Sequence, residues 1–117
     1  MSYQFTAKCK GISANKIWEF IQNGLSTNVT IKSIKEQIPY NVNHVTQNQI
    51  SFSAETRNDG EPEIINLDDF VTIIKLLKDL GQFNTSSAKE SFKGTKMYKK
   101  RSPMFALLLS SGVIEKV

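Results

Sequence analysis

The sequence predicts a single α+β domain spanning residues 1–117, built as a small, mostly antiparallel sheet of three to four strands. Packed with it are an N-terminal helix, a central amphipathic helix and a buried C-terminal helix. Three patterns carry that expectation. Phe70, Ile73, Ile74, Leu77 and Leu80 recur at helical spacing; Ile50, Phe52 and Ala54 alternate with Ser51, Ser53 and Glu55; and Met104 to Leu109 leave no polar face. At 117 residues, with 39% apolar and 22% charged side chains, the chain has the size and composition of one globular domain.

Taken in order, Tyr3 to Lys10 alternates weakly, with Tyr3, Phe5 and Ala7 on one side, and reads as a short strand. Ser13 is a candidate N-cap for a helix whose stripe is Ile17, Phe20, Ile21 and Leu25, with Gly24 near its end. Trp18 lies beside that stripe as a core or rim anchor. The β-branched residues between Asn28 and Ser33 favour a strand. From Tyr40 to Glu55 the chain reads as a hairpin with Tyr40, Val42 and His44 on one face and Gln47-Asn48-Gln49 at the turn. Asn58-Asp59-Gly60 is a further turn, after which Glu63 to Leu67 returns as a third strand with Ile64 or Ile65 inward.

Asn66 is placed to cap the central helix, and Asp68 and Asp69 fall in the first turn, where carboxylates complement the helix dipole. Gly81 ends that helix. Ser87 to Glu90 matches a capping box for one short turn. Ser102-Pro103 opens the last helix, because a serine hydroxyl can accept an orphan N–H and proline at the first helical position removes no needed donor. Gly112 closes it, and Val113-Ile114 either completes a Schellman-type cap or pairs as an edge strand. The apolar run is shorter than the ~20 residues needed to cross a bilayer, so a core helix and no membrane association are expected.

Charge is uneven along the chain. The net charge is +4 and the pI about 9.2. Lys89, Lys93, Lys96, Lys99, Lys100 and Arg101 face one acid, Glu90, leaving +5 in a short segment; Glu55, Asp59, Glu61, Glu63, Asp68 and Asp69 face one base, Arg57, leaving −5 in another. If the two lie apart, one face attracts a polyanion and the other repels it; if they lie together, they neutralise each other. The single cysteine, Cys9, excludes an internal disulfide and suits a reducing compartment, and the N-terminus lacks the apolar run of about 7–15 residues of a secretion signal, so a cytoplasmic location is expected. Asn28-Val29-Thr30 and Asn84-Thr85-Ser86 match the glycosylation pattern by chance on that reading.

Catalytic chemistry finds little footing. One cysteine and one histidine, Cys9 and His44, do not make a zinc site or a convincing nucleophile–base pair. Asp59, Glu61 and Glu63 are the densest carboxylates, but they lie in a turn with no adjacent lysine, unlike a two-metal nuclease centre. Gly94-Thr95-Lys96 lacks the earlier glycine of a phosphate loop. No metal, no cofactor and no enzymatic activity are expected; an enzyme would require a pocket assembled from Tyr40, His44 and carboxylates.

Binding remains. Lys93, Lys96, Tyr98, Lys99, Lys100, Arg101 and Ser102 interleave cations with an aromatic ring and a hydroxyl, the groups that contact phosphates and stack on bases, and Met97 adds an apolar group. The final helix offers no Arg, Asn or Gln for groove readout, so phosphate contact is expected rather than base reading. The plainer reading of these lysines is a solvated loop. The rival function is a protein-interaction module, a homodimer or an accessory inhibitor of a mobile element, in which Asp59, Glu61 and Glu63 dock a basic partner or the basic loop of a second copy.

The order of elements, with TIKS…PYNVNHV…QISFS, NLDDFVTIIKLLKDLGQFN and the closing RSPMFALLLSSGVIE, resembles the small accessory domains found beside or within restriction endonucleases and other mobile-defence proteins. The resemblance covers most of the chain and implies a noncatalytic DNA-contacting or assembly role. The chain departs from a complete restriction enzyme in lacking a nuclease motif.

Overall fold

Alternation in short apolar segments gives strands, and helical spacing in longer ones gives helices. The computed structural model describes residues 2–25, 29–32 and 38–117; Asn28 and Ser33, the outer ends of the second expected strand, lie outside them. Among the described residues the fold is α+β, with two antiparallel sheets and five helices. The first sheet is the expected meander with a strand added at its start. Strands β1 (Tyr3–Phe5), β2 (Thr30–Lys32), β3 (Pro39–Val45), β4 (Gln49–Ser53) and β5 (Glu63–Asn66) come first in the chain, and β2 to β5 pair in sequence order. The second sheet gathers the termini: β1 sits between β6 (Gln82–Phe83) and β7 (Ile114–Lys116).

Several local expectations are corrected. Extended structure stops at Phe5, and Ala7 opens a single-turn helix, α1 (Ala7–Lys10), whose turn closes through the Cys9 and Lys10 amides on the Thr6 carbonyl. The register of β3 on β4 shifts between Val42 and His44, so Tyr40 and Val42 are buried whereas His44 is exposed. A residue gained there breaks the period of two, so Tyr40 and His44, expected on one face, differ in burial. In β5 it is Ile65 that faces inward, and Ile64 is 38% exposed.

Helix α2 (Ala14–Gly24) begins as expected, with the Ser13 hydroxyl accepting from the Lys16 amide. Its Trp18 is buried edge-on against Phe70 of α3 (Leu67–Leu80), with ring centroids 5.0 Å apart. Asn66 occupies the N-cap position of α3 but its side chain does not cap; the Leu67 amide instead donates to the carbonyl of Asn48, in the β3–β4 turn. The inward positions Phe70, Ile73, Ile74 and Leu77 are buried, and Leu80, expected in the stripe, is 40% exposed because the helix ends there. Gly81 then adopts φ +74°, a conformation that costs glycine nothing.

The capping box belongs to Asn84, not to Ser87–Glu90. Asn84 Oδ1 accepts from the Ser87 amide and Ser87 Oγ accepts from the Asn84 amide, so α4 (Thr85–Phe92) has eight residues rather than one turn. The last helix, α5 (Arg101–Ser110), starts one residue before Ser102, with Lys100 at the cap and no side-chain cap bond. Pro103 to Leu108 are all buried, and Leu109 emerges at 36% exposure. Both alternatives for its end are realised. The Val113 amide donates to Leu108 and the Gly112 amide to Leu109, the Schellman pattern, and Ile114 begins β7 at the sheet edge. Phe105 of α5 lies 6.0 Å from both Phe83 and Phe92, joining β6, α4 and α5 in one core.

Candidate functional site

The basic segment is not a free loop. After Phe92 the chain turns at Gly94, buries Met97, and makes a 3-10 turn at Tyr98–Lys100 that runs directly into α5. Burial removes Met97 from the groups available for stacking. Hydrogen bonds from several elements hold this segment to the larger sheet. Tyr40, fully buried on β3, hydrogen-bonds through its hydroxyl to Ser102 Oγ at 2.8 Å. Arg57 Nη2 donates to the Lys99 carbonyl at 3.1 Å, and Lys100 Nζ donates to the Ile64 carbonyl on edge strand β5 at 2.6 Å. Ser102 and Lys100, both expected as ligand contacts, are thus engaged with the fold.

The acidic and basic segments lie together along this seam. Glu63 receives a bidentate bond from Arg57, at 2.9 and 3.1 Å, and the pair is largely shielded. That hydrogen bonding, with the Glu63 charge, raises the Arg57 guanidinium above its ordinary pKa against the opposing effect of burial. Glu63 is therefore spoken for, whereas Asp59 and Glu61 stand exposed around a turn in which Asn58 and Asp59 take positive φ. Lys96 lines a cleft of about 320 Å³ whose walls also carry Asp68, Asp69, Asn48 and Asn66.

The remaining cations converge on Tyr98. The Arg101 guanidinium lies over the Tyr98 ring, 4.0 Å from its centroid. Its Nη1 is buried without an acceptor among the described residues, while Tyr98 is only half-buried. Lys89, on the exposed side of α4, and Lys93, just past its end, bring their charges to the same phenol. Arg101 by hydrogen bonding, and then the charges of Lys89, Arg101 and Lys93, hold the phenol below its ordinary pKa of 10.0 despite desolvation. Glu90 meets Lys93 at 3.7 Å, with both side chains more than half exposed, a weak and screened pair. Lys99 is exposed on the 3-10 turn that follows Met97.

Of the basic positions expected from the sequence, Lys93, Tyr98 and Arg101 thus come together; Lys100 and Ser102 are diverted into the fold, Lys96 lines a cleft with Asp68 and Asp69, and Lys99 flanks the cluster. Lys89, counted in the basic segment but not among the expected ligand positions, lies on α4 and adds its charge at Tyr98. A second cleft, of about 570 Å³, lies over the smaller sheet, where Gln82, Gln4 and Glu115 are in register and Lys10 and Lys78 stand at the rim. Its Lys78 ammonium donates to the Ile12 carbonyl and sits over Phe5, so it too is tied into the fold. Among the described residues no group of three or more His, Cys, Asp or Glu side chains is placed to hold a metal ion, and no helix is long and apolar enough to cross a membrane.

Comparison of the chain with protein-family models, with curated proteins and with solved structures gave no match.

Proposed function

We propose that the protein is a non-enzymatic, cytoplasmic nucleic-acid-binding module that contacts phosphates through Lys89, Lys93, Lys99 and the Tyr98–Arg101 pair, an accessory role of the kind the mobile-defence resemblance implies. The observation that supports this best is the convergence of cations from α4 and from the start of α5 on one half-buried tyrosine. Structural ties hold the backbone beside it, so a bound phosphate would cost little in ordering entropy.

The test is binding of a labelled DNA over a salt series by the wild-type protein, the triple variant Lys89, Lys93 and Lys99→Ala, and Lys96→Ala. The wild type should show log affinity falling linearly with log salt. In the triple variant that slope should shrink by roughly 0.7–0.9 for each phosphate that is no longer neutralised. Lys96→Ala should change it less, because Lys96 lines a cleft with Asp68 and Asp69 and is not among the cations around Tyr98. Absence of binding at low salt would sink this reading.

A second reading has its own support. Asp59 and Glu61 remain exposed at a turn whose backbone is well defined by bonds from Gly60 to Arg57 and from Glu61 to Asn58. As a protein-interaction module, the chain would dock a basic partner or a second copy there. Light scattering of the wild type against Asp59, Glu61→Lys separates the homodimer from the monomer: a mass that halves in the variant supports self-association, and an unchanged monomeric mass removes it.

A further inference from the structure

We propose that the Tyr98–Arg101 stack is a base-stacking platform and that the nucleic acid it takes is single-stranded. The inference rests on the phosphate-binding reading above and goes further by naming the strand state. Arg101 Nη1 has no accessible surface, whereas Tyr98 keeps part of its surface in solvent. The guanidinium carbon lies 4.0 Å from the ring centroid, and the half-buried Tyr98, which also packs against the core, keeps part of its surface in solvent. The ring is thus backed by a cation, and its exposed part is the surface left for a base.

A duplex cannot use such a surface, because its bases are already stacked on one another and only their edges reach the grooves. An unpaired base can, since every base has a face to lay on an aromatic ring, and a cation behind the ring adds to the attraction. The groups flanking the ring suit the same ligand. Lys89 and Lys93 approach the phenol from α4, with the acid Glu90 beside Lys93, and Lys99 stands on the adjoining turn. Cations beside an aromatic face match a strand whose phosphates lie a short distance from each splayed base. The exposed Lys93–Glu90 pair is weak enough for a phosphate to displace Glu90.

The experiment measures binding of a labelled oligothymidylate of about ten nucleotides, a length within the site sizes of single-strand binders. It compares this with a duplex of the same length at one low salt concentration, for wild type, Tyr98→Phe and Tyr98→Leu. Leucine preserves apolar cover over Arg101 without a π face, and thermal melting with Trp18 emission checks that each variant is folded. The expected result is tighter binding of the single strand by wild type and Tyr98→Phe. Tyr98→Leu should weaken on the order of ten- to a hundredfold for the single strand and little for the duplex. Equal affinity for both forms in the wild type, or a folded Tyr98→Leu that keeps the preference, overturns the platform while leaving phosphate contact standing. Binding of neither form overturns the phosphate reading and the platform with it.

Discussion

Two tyrosines show how much one side chain decides. Tyr40 is fully buried, yet its hydroxyl reaches Ser102 on the first turn of α5 and so links the larger sheet to the basic segment. Replacing Tyr40 with Phe keeps the ring packed edge-on against Phe52 and deletes only that bond, so urea unfolding should show a loss of about 0.5–1.5 kcal/mol. Tyr98 is the opposite case, a half-buried ring whose phenol is held below 10.0 by Arg101 and the neighbouring lysines. The sign follows from which form the fold favours. A lowered pKa favours the phenolate, so any stabilisation is present above the ordinary value and fades as pH falls through the lowered one. In an ultraviolet titration, the phenolate phase that disappears in Tyr98→Phe should have its midpoint below 10.0. Arg57 runs the other way. Its raised pKa keeps the guanidinium charged throughout neutral and moderately alkaline solution, so deprotonation of Arg57 does not break its bond to Glu63 in that range.

At the scale of elements, helix ends matter more than helix middles. The stripes of α2 and α3 were readable from spacing, because burial on one face imposes a period near 3.6. The Ser13 cap of α2 was readable as well, whereas Asn66 at the N-cap position of α3 makes no side-chain cap bond and the Leu67 amide donates to the Asn48 carbonyl in the β3–β4 turn. Asn84 is the cap that bears on the proposed site, because it opens α4, the helix that carries Lys89 and precedes Lys93. Asn84→Ala removes one half of a reciprocal pair and orphans the other. We expect a loss of about 1 kcal/mol in stability, with weaker DNA binding than stability alone explains, measured by melting and by anisotropy on the same samples. The short strand β1 was only half legible: Tyr3 and Phe5 alternate with Gln4 as strand residues should, but nothing local announces that the chain turns into a helix at Ala7.

Across the whole molecule, α5 is the hub. Its apolar residues meet β2, α4 and β7, and Phe105 lies 6.0 Å from rings on both β6 and α4. Truncating Phe105 to Ala should cost about 3–5 kcal/mol, a large fraction of the stability of a domain this size. Because the same core carries both sheets, the loss should appear as one shifted transition, coincident in Trp18 fluorescence and circular dichroism, and not as loss of one sheet alone. The seam between acidic and basic segments is also a property of the whole fold. Segments of opposite charge separated along the chain are joined where β5 meets the turn before α5. The chain is therefore not a simple charge dipole.

The fold class, the central helix, the hairpin of β3 and β4 and the buried last helix were all legible in the order of residues, because each is written as a local period of apolar side chains that burial enforces. The basic segment was marked there too as the place to look. Which of its cations are available was settled by folding. Lys100 and Ser102 meet partners contributed by Ile64 and Tyr40, and Lys96 shares a cleft with Asp68 and Asp69, all more than twenty residues away along the chain. The closing of the small sheet from Tyr3–Phe5, Gln82–Phe83 and Ile114–Lys116 is likewise a long-range choice. Pairing between distant segments and the neutralisation of one charge by another depend on proximity in space, which a local pattern of residues does not encode.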